Sequence, residues 1–313
     1  MGIKNLMKII NKYAPNSIKE TNIENYKGKI FAIDTNLLIY KNVFAIRKNG
    51  YDIKNNSIIV THIHSMLLKL IGLKKYGILA IFVFDGPMPK LKEKTMKKRK
   101  LLRKEFKKKY ESAKTETDKK KYFYLKSDIT EKEIYDCKEL ITIFGFPIIQ
   151  STGEADKDIA CLTKINPNIY AVSEDMDILV FGATKLIRKF TVSKQKNKKM
   201  IEINLKKLLT ELQFNQRMLV HLAILLGCDY CNASINNEQF GTITSYKMIK
   251  KYKYIKDPNI YNKIEKYFMS NCHTNLDIKI KEKNVNVSKL KEFLTKYLFK
   301  QEYIEKKLKI LNI

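Results

Sequence analysis

Three unbroken apolar runs, each ending at or just before an acid, constrain this chain more than any other feature. Ile30-Phe31-Ala32-Ile33 stops at Asp34, Ile78 to Phe84 stops at Asp85, and Ile169 to Val172 stops just before Glu174 and Asp175. Short continuous apolar runs suit strands buried on both faces, which is how parallel strands sit. Helical periodicity separates them. Ile63, Met66, Leu67, Leu70 and Ile71 recur at helical spacing, and so do Ile134, Cys137, Leu140, Ile141 and Phe144, closed by Gly145. The alternation predicts an α/β fold with a mainly parallel central sheet flanked by helices. After residue 200 the pattern turns helical, with a buried helix through Leu219, Leu222, Ala223, Leu225 and Leu226 and an amphipathic stretch from Leu290 to Leu311.

The chain has 313 residues and a formal net charge of +29, from 61 Lys and Arg against 32 Asp and Glu. Such an excess predicts an acidic partner, nucleic acid before an anionic membrane surface. The seven-residue run Ile78 to Phe84 is far short of the roughly 20 apolar residues of a membrane helix. Residues 1 to 6 offer no apolar signal-peptide core, and Leu6 stands where myristoylation wants Ser or Thr. Five scattered cysteines predict no disulfide framework and an intracellular, reducing compartment, with nucleus and cytoplasm undistinguished. Cys228-x-x-Cys231 is half of a zinc pattern without its other half. The four histidines, His62, His64, His221 and His273, have no ligand spacing to the acids and read as core or surface residues.

Residues 90–126 hold 17 Lys or Arg and 5 Asp or Glu, with no Gly or Pro. They read either as a solvated, highly charged helical excursion or as a clamp that orders when phosphates neutralise it.

Acids are scarce, yet they fall in telling places. Ligand sites of open α/β sheets lie at the carboxyl ends of strands. Asp34, Asp85, Asp175 and Asp177 would therefore reach one edge. Glu154, Asp156 and Asp158 open the helix before the third strand, and Asp229 follows the buried helix. Any one Asp after a strand also reads as a helix cap. Gathered together they would repel, and a carboxylate cluster without imidazole suits Mg²⁺ or Mn²⁺. Two such ions can serve phosphodiester hydrolysis, so a basic protein with this cluster reads as a nuclease.

The same residues carry a resemblance. Met-Gly-Ile-x-x-Leu at 1–6, Ile33-Asp34 with Tyr40, Phe84-Asp85-Gly86, Gly153-Glu154-Ala155-Asp156, Ser173-Glu174-Asp175-Met176-Asp177 with Phe181-Gly182, and Leu226-Gly227-Cys228-Asp229-Tyr230 resemble the flap endonuclease/XPG family of structure-specific 5′ nucleases. They occur in the family's order from residue 1 to about 255, and Leu290 to Leu308 is similar to its closing helices. The resemblance implies a PIN-like nuclease core in two parts (1–89 and 127–230), a basic helical arch (90–126) and a C-terminal helical duplex-binding region (231–313). It implies two Mg²⁺ ions, with Mn²⁺ as substitute, held by Asp34, Asp85, Glu154, Asp156, Asp175, Asp177 and Asp229. Lys92 and Arg99 fall on its basic catalytic residues, and seven residues of helix would put both on one face. Tyr40 matches a tyrosine that stacks on a base, and Gly2 lies where the chain start approaches DNA.

There are departures. Asp156 stands for a Glu, and a plain helix would pair Glu154 with Asp158 instead. In the hairpin that grips duplex phosphates and K⁺, Gly241 remains but Thr244 replaces the second glycine, which argues against the K⁺ site. No sliding-clamp box is found. The implied protein is a monomeric nuclease of 5′ flaps or other branched DNA in replication, recombination or repair. The rival readings are a 5′ exonuclease or junction cutter of the same family, a non-catalytic DNA-binding scaffold, and an RNA-processing nuclease.

Overall fold

The computed structural model describes residues 2–192, 199–231, 240–255, 260–270 and 283–313. Cys272 and His273 lie outside the described residues. Nine strands occur among them: β1 (Ile18–Thr21), β2 (Ile30–Asp34), β3 (Lys54–Asn55), β4 (Ile58–Ile59), β5 (Leu79–Phe84), β6 (Ile148–Gln150), β7 (Ile169–Val172), β8 (Lys185–Arg188) and β9 (Met200–Asn204). Seven form the main sheet in the order β1-β9-β8-β7-β2-β5-β6. The five strands from β8 to β6 are parallel, and β9 and β1 extend that edge antiparallel. The mainly parallel sheet is as predicted. The all-helical reading after residue 200 is corrected by β9, whose partners lie across the sheet in β8 and β1.

The apolar runs are continuous because alternate residues feed opposite cores. Ala32, Ile81, Val83 and Ala171 enter one cluster, while Phe31, Ile33, Phe82, Phe84, Tyr170 and Val172 enter the other. The closing helices Val287–Lys296 and Gln301–Ile310 join the second cluster through Leu290, Phe293, Leu294, Ile304 and Leu308. Residue 298 has a left-handed backbone and divides what reads in sequence as one amphipathic stretch.

The register positions the acids. β2 lies between β5 and β7, with Ile30 opposite both Leu79 and Ile169, and Asp34 opposite Val83. All three strands therefore end at one level of one edge.

Residues 90–126 form a 3-10 turn, Lys90–Lys92, then helices Glu93–Glu111 and Glu116–Lys126, none with a buried residue. The two helices meet through Phe106–Tyr122 and Tyr110–Phe123 ring contacts, with the Lys126 ammonium 4.1 Å from the Tyr110 ring centroid. A hairpin with so little apolar burial has a low local stability.

The buried histidines pair with acids of the core rather than with the site, although His62 Nδ1 has no hydrogen-bond partner among the described residues. His62 Nε2 hydrogen-bonds with Asp136 at 2.9 Å, and His221 Nε2 with Glu265 at 3.1 Å. Cys137, Cys228 and Cys231 are free thiols, but Cys161 is disulfide-bonded. Among the described residues no helix is long and apolar enough to cross a membrane.

Candidate active site at the carboxyl edge of the sheet

A cavity of about 370 Å³ opens at this edge, lined by Asp34, Asp85, Glu154, Asp156, Asp175 and Asp229 together with Tyr40, Lys92 and Arg99. Asp177 is fully buried behind Asp175, and its backbone N–H donates to Asp175 Oδ1 at 3.0 Å. The structure thus brings all seven acids together. A wider groove of about 560 Å³ lies between helices Glu131–Ile143 and Val287–Lys296, but Glu139 and Glu292 are its only carboxylates.

Local geometry delivers each group. Asp34 is the N-cap of helix Thr35–Arg47, accepting from the Leu37 N–H at 3.1 Å, so the cap reading and the site reading are both true of it. Its other oxygen accepts from Ser173 Oγ at 3.0 Å, and Ser173 Oγ accepts from the Asp175 N–H at 3.0 Å. Asp85 stands at the exposed rim and accepts from the Ala155 N–H at 3.0 Å. Gly86 makes this contact possible: a Cβ there would lie 2.1 Å from the Ser151 carbonyl oxygen. Glu154 precedes helix Ala155–Ile165 with extended backbone, and Asp156 sits in its first turn. This explains why helical periodicity misleads here. Glu154 is not on the helix at all, so Asp156, not Asp158, shares the cavity with it.

Gly2 has φ +77° and presses on the acids; a Cβ would fall 1.9 Å from Asp175 Oδ1 and 2.9 Å from Asp177 Oδ1. Tyr40 lines the cavity wall with its ring edge-on to Phe44, and its phenol donates to Asp128 at 2.7 Å. Asp128 also pairs with Arg103 of the basic hairpin, tying the hairpin's base to this wall. Gly241 lies elsewhere, at the N-cap of helix Thr242–Tyr252 with φ −65°, where a Cβ would meet only Thr244 Oγ1 at 3.9 Å. Nothing in that conformation requires glycine.

Lys92 and Arg99 converge, though not from one helix, since Lys92 ends the 3-10 turn and Arg99 lies in the helix that follows. Lys92 pairs with Glu154 and lies 3.8 Å from Asp229 Oδ2, while Arg99 Nη2 donates to Asp229 Oδ1 at 2.6 Å. Burial works against the Lys92 ammonium, but Glu154, Asp156 and Asp177 outweigh it and hold its pKa above the usual lysine value.

Sequence reasoning missed Tyr267. Its phenol donates to Glu154 Oε2 at 2.5 Å beside that of Tyr230 at 2.6 Å. It sits on helix Ile260–Met269, within a Lys- and Tyr-rich stretch that carries no local signal. Ser173 lies within a motif, but its bridging role appears only in three dimensions.

The two cations do not balance the cluster. Burial, then the Asp85 charge, pushes the Asp34 carboxyl up to about 7, and Asp156 and Asp177 are raised by burial and by their acidic neighbours. Among the described residues, Asp156 Oδ1 and both Asp177 oxygens are buried without a hydrogen-bond partner. Among the described residues, too, no three acidic, His or Cys side chains are drawn together into a preformed metal cage. Unpartnered buried carboxylates that resist ionising are nevertheless what a hard divalent cation satisfies.

The raised pKa values set a sign. A folded-state Asp pKa above its unfolded value stabilises the fold at low pH, and that contribution is lost as pH rises from about 4 through about 7. A divalent cation needs the ionised form. Mg²⁺ is therefore expected to raise the melting temperature more at about pH 8 than at about pH 5.5. Thermal melts with and without Mg²⁺ at the two pH values check this; an equal or larger rise at acid pH would contradict it.

Residues 1–106 match the XPG N-terminal domain and residues 145–229 the XPG I-region. The chain is 34% identical to human flap endonuclease 1 over 283 residues, covering 87% of this chain and 74% of that protein. It is 33% identical to flap endonuclease 1 of Theileria annulata, covering 98% of this chain but 63% of the relative's length. Among solved structures, the fold matches flap endonuclease-1 from Methanococcus jannaschii with a TM-score of 0.73 at 24% identity, covering 96% of both chains. It matches the catalytic core of Rad2 in complex with DNA substrate with a TM-score of 0.74 at 19% identity, covering 99% of this chain and 100% of the other.

Proposed function

Since the chain belongs to the flap endonuclease/XPG family, we propose that it is a divalent-metal-dependent nuclease that hydrolyses phosphodiester bonds at 5′ flaps or other branched DNA. One observation carries the reading: six carboxylates line one cavity at the carboxyl ends of the parallel strands together with Lys92 and Arg99, and a seventh, Asp177, is buried behind Asp175. In this reading residues 1–89 and 127–230 are the nuclease core, 90–126 the arch over a single strand, and the region from 231 onward a duplex-binding part.

Asp34, Asp85, Glu154, Asp156, Asp175, Asp177 and Asp229 would hold Mg²⁺, with Mn²⁺ able to substitute. Bound divalent ions supply Lewis acidity toward a phosphoryl oxygen and toward water. The chain supplies the rest. Lys92 and Arg99 would exchange Asp229 for a phosphate oxygen and stabilise charge that develops there. Tyr40 offers a ring beside the acids on which a base can stack, worth about 1–3 kcal/mol. Tyr230 and Tyr267 fix Glu154 by holding its outer oxygen.

The test is a panel of labelled substrates: flap, nick, blunt duplex, four-way junction and RNA hybrid, with cut positions mapped in Mg²⁺ and in EDTA. Cleavage at the flap junction in Mg²⁺ alone is expected. Tight binding without cleavage of any substrate in Mg²⁺ or Mn²⁺ would leave the scaffold reading in its place.

A further inference from the structure

The Cys228-x-x-Cys231 pair, too few ligands for zinc, has a different geometry from a metal half-site. The segment after helix Gln216–Leu226 folds back so that Cys228 and Cys231 form an isolated antiparallel bridge, with the Cys231 N–H donating to the Cys228 carbonyl at 3.3 Å. Their sulfur atoms stand 3.5 Å apart, and both residues are half-buried rather than sealed in the core. The two residues they bracket both belong to the site. Asp229 holds Arg99 and Lys92 with its carboxylate and accepts from Thr95 Oγ1 with its backbone carbonyl at 2.7 Å. Tyr230 holds Glu154.

We propose that Cys228 and Cys231 are a reversible thiol–disulfide pair whose oxidation disarms the carboxylate site. The disarming part rests on the nuclease reading above; the disulfide itself does not. With hydrogen peroxide as oxidant, one sulfur attacks a peroxide oxygen, the O–O bond breaks, and a sulfenic acid and water result. The second thiol then displaces the hydroxyl as a further water and the S–S bond forms. Two thiol protons and two electrons leave the protein, and one peroxide is reduced to two waters. A disulfide requires sulfurs about 2.05 Å apart, so both ends of the loop must be drawn inward. The ring that closes contains the Asp229 and Tyr230 backbones, so the contacts to Thr95, Arg99 and Glu154 shift with it. Cys137 is buried and Cys161 is already disulfide-bonded, which leaves this pair as the close dithiol among the described cysteines.

The experiment uses the full chain, reduced and then treated with hydrogen peroxide, with free thiols alkylated before peptide mapping. Flap cleavage in Mg²⁺ and Mn²⁺ binding by electron paramagnetic resonance are read on the same samples. The expected result is a Cys228–Cys231 linkage with the loss of two hydrogens, cleavage and Mn²⁺ affinity lower by about tenfold or more, and full recovery in dithiothreitol. Cys231→Ser and, separately, Cys228→Ser are expected to cleave as the reduced parent does and to ignore peroxide. Absence of that linkage overturns the proposal, and so does a linkage that leaves cleavage and Mn²⁺ binding unchanged. If the reduced protein cuts no DNA, the nuclease reading falls, while peptide mapping and Mn²⁺ binding still decide the dithiol.

Discussion

Asp177→Asn is expected to lower metal-dependent cleavage by about a hundredfold or more, the scale of losing an electrostatic group of a preorganised site, with flap binding changed only a few-fold. Asn has the same shape, so packing survives. What goes is one negative charge at a position with no exposure to water and, among the described residues, no hydrogen-bond partner for either oxygen. This variant has a second, opposite signature. Without divalent ions, burial first, and then the charges of Asp175 and Asp229, raise the Asp177 pKa. Removing that buried charge should raise the melting temperature in EDTA and shrink the further rise on adding Mg²⁺. Asp175→Asn should behave similarly in cleavage, although its Oδ1 also accepts from the Asp177 N–H. Single-turnover cleavage, filter binding and paired melts make the check. Full activity in either variant, or an unchanged Mg²⁺ response, would remove these carboxylates from the metal site.

Lys92→Met is expected to lower the cleavage rate constant by about 10²–10³ with a much smaller change in flap affinity. The ammonium is mostly buried between Glu154 and Asp229 and lies 5.1 Å from the Tyr230 ring centroid. Methionine keeps much of the stem's packing but leaves Glu154 without its cation. The metal-free protein should therefore lose about 3 kcal/mol, the usual cost of breaking a buried pair from one side. Mg²⁺ should restore most of that stability and none of the rate. Arg99→Met should cost less stability because the guanidinium side chain is 30% exposed. Chemical denaturation with and without Mg²⁺, beside single-turnover kinetics, separates the two effects. A variant that keeps its rate would remove Lys92 from the chemistry.

Much of this was legible in the residues because the chemistry and the fold share a signal. A buried parallel strand must be apolar throughout and must stop where the chain meets solvent. Asp34 and Asp85 therefore announce both a strand end and a charged edge. The basic hairpin was visible for a related reason: a run so rich in Lys has no core to enter. Other features depend on contacts distant in sequence. β1 and β9 mix charged and apolar residues and hold together only by pairing Ile18 with Ile203, across 185 positions. Glu154 was hard to place because one non-helical residue shifts the face of everything after it. Tyr267 reaches Glu154 from 113 residues away, and only the packing of its helix against Phe181 and Tyr230 brings it there.

The acids are spread from residue 34 to residue 229, and none of the sheet segments carries more than two of them. A growing chain therefore reaches Asp229 only 195 residues after Asp34. Until the helix Gln216–Leu226 has docked, Lys92 has Glu154 as its partner but Arg99 lacks Asp229. On the proposed nuclease reading, a nascent chain would meet nucleic acid through its early-made lysines before it could cut, and cutting would begin only once the segment carrying Asp229 had docked.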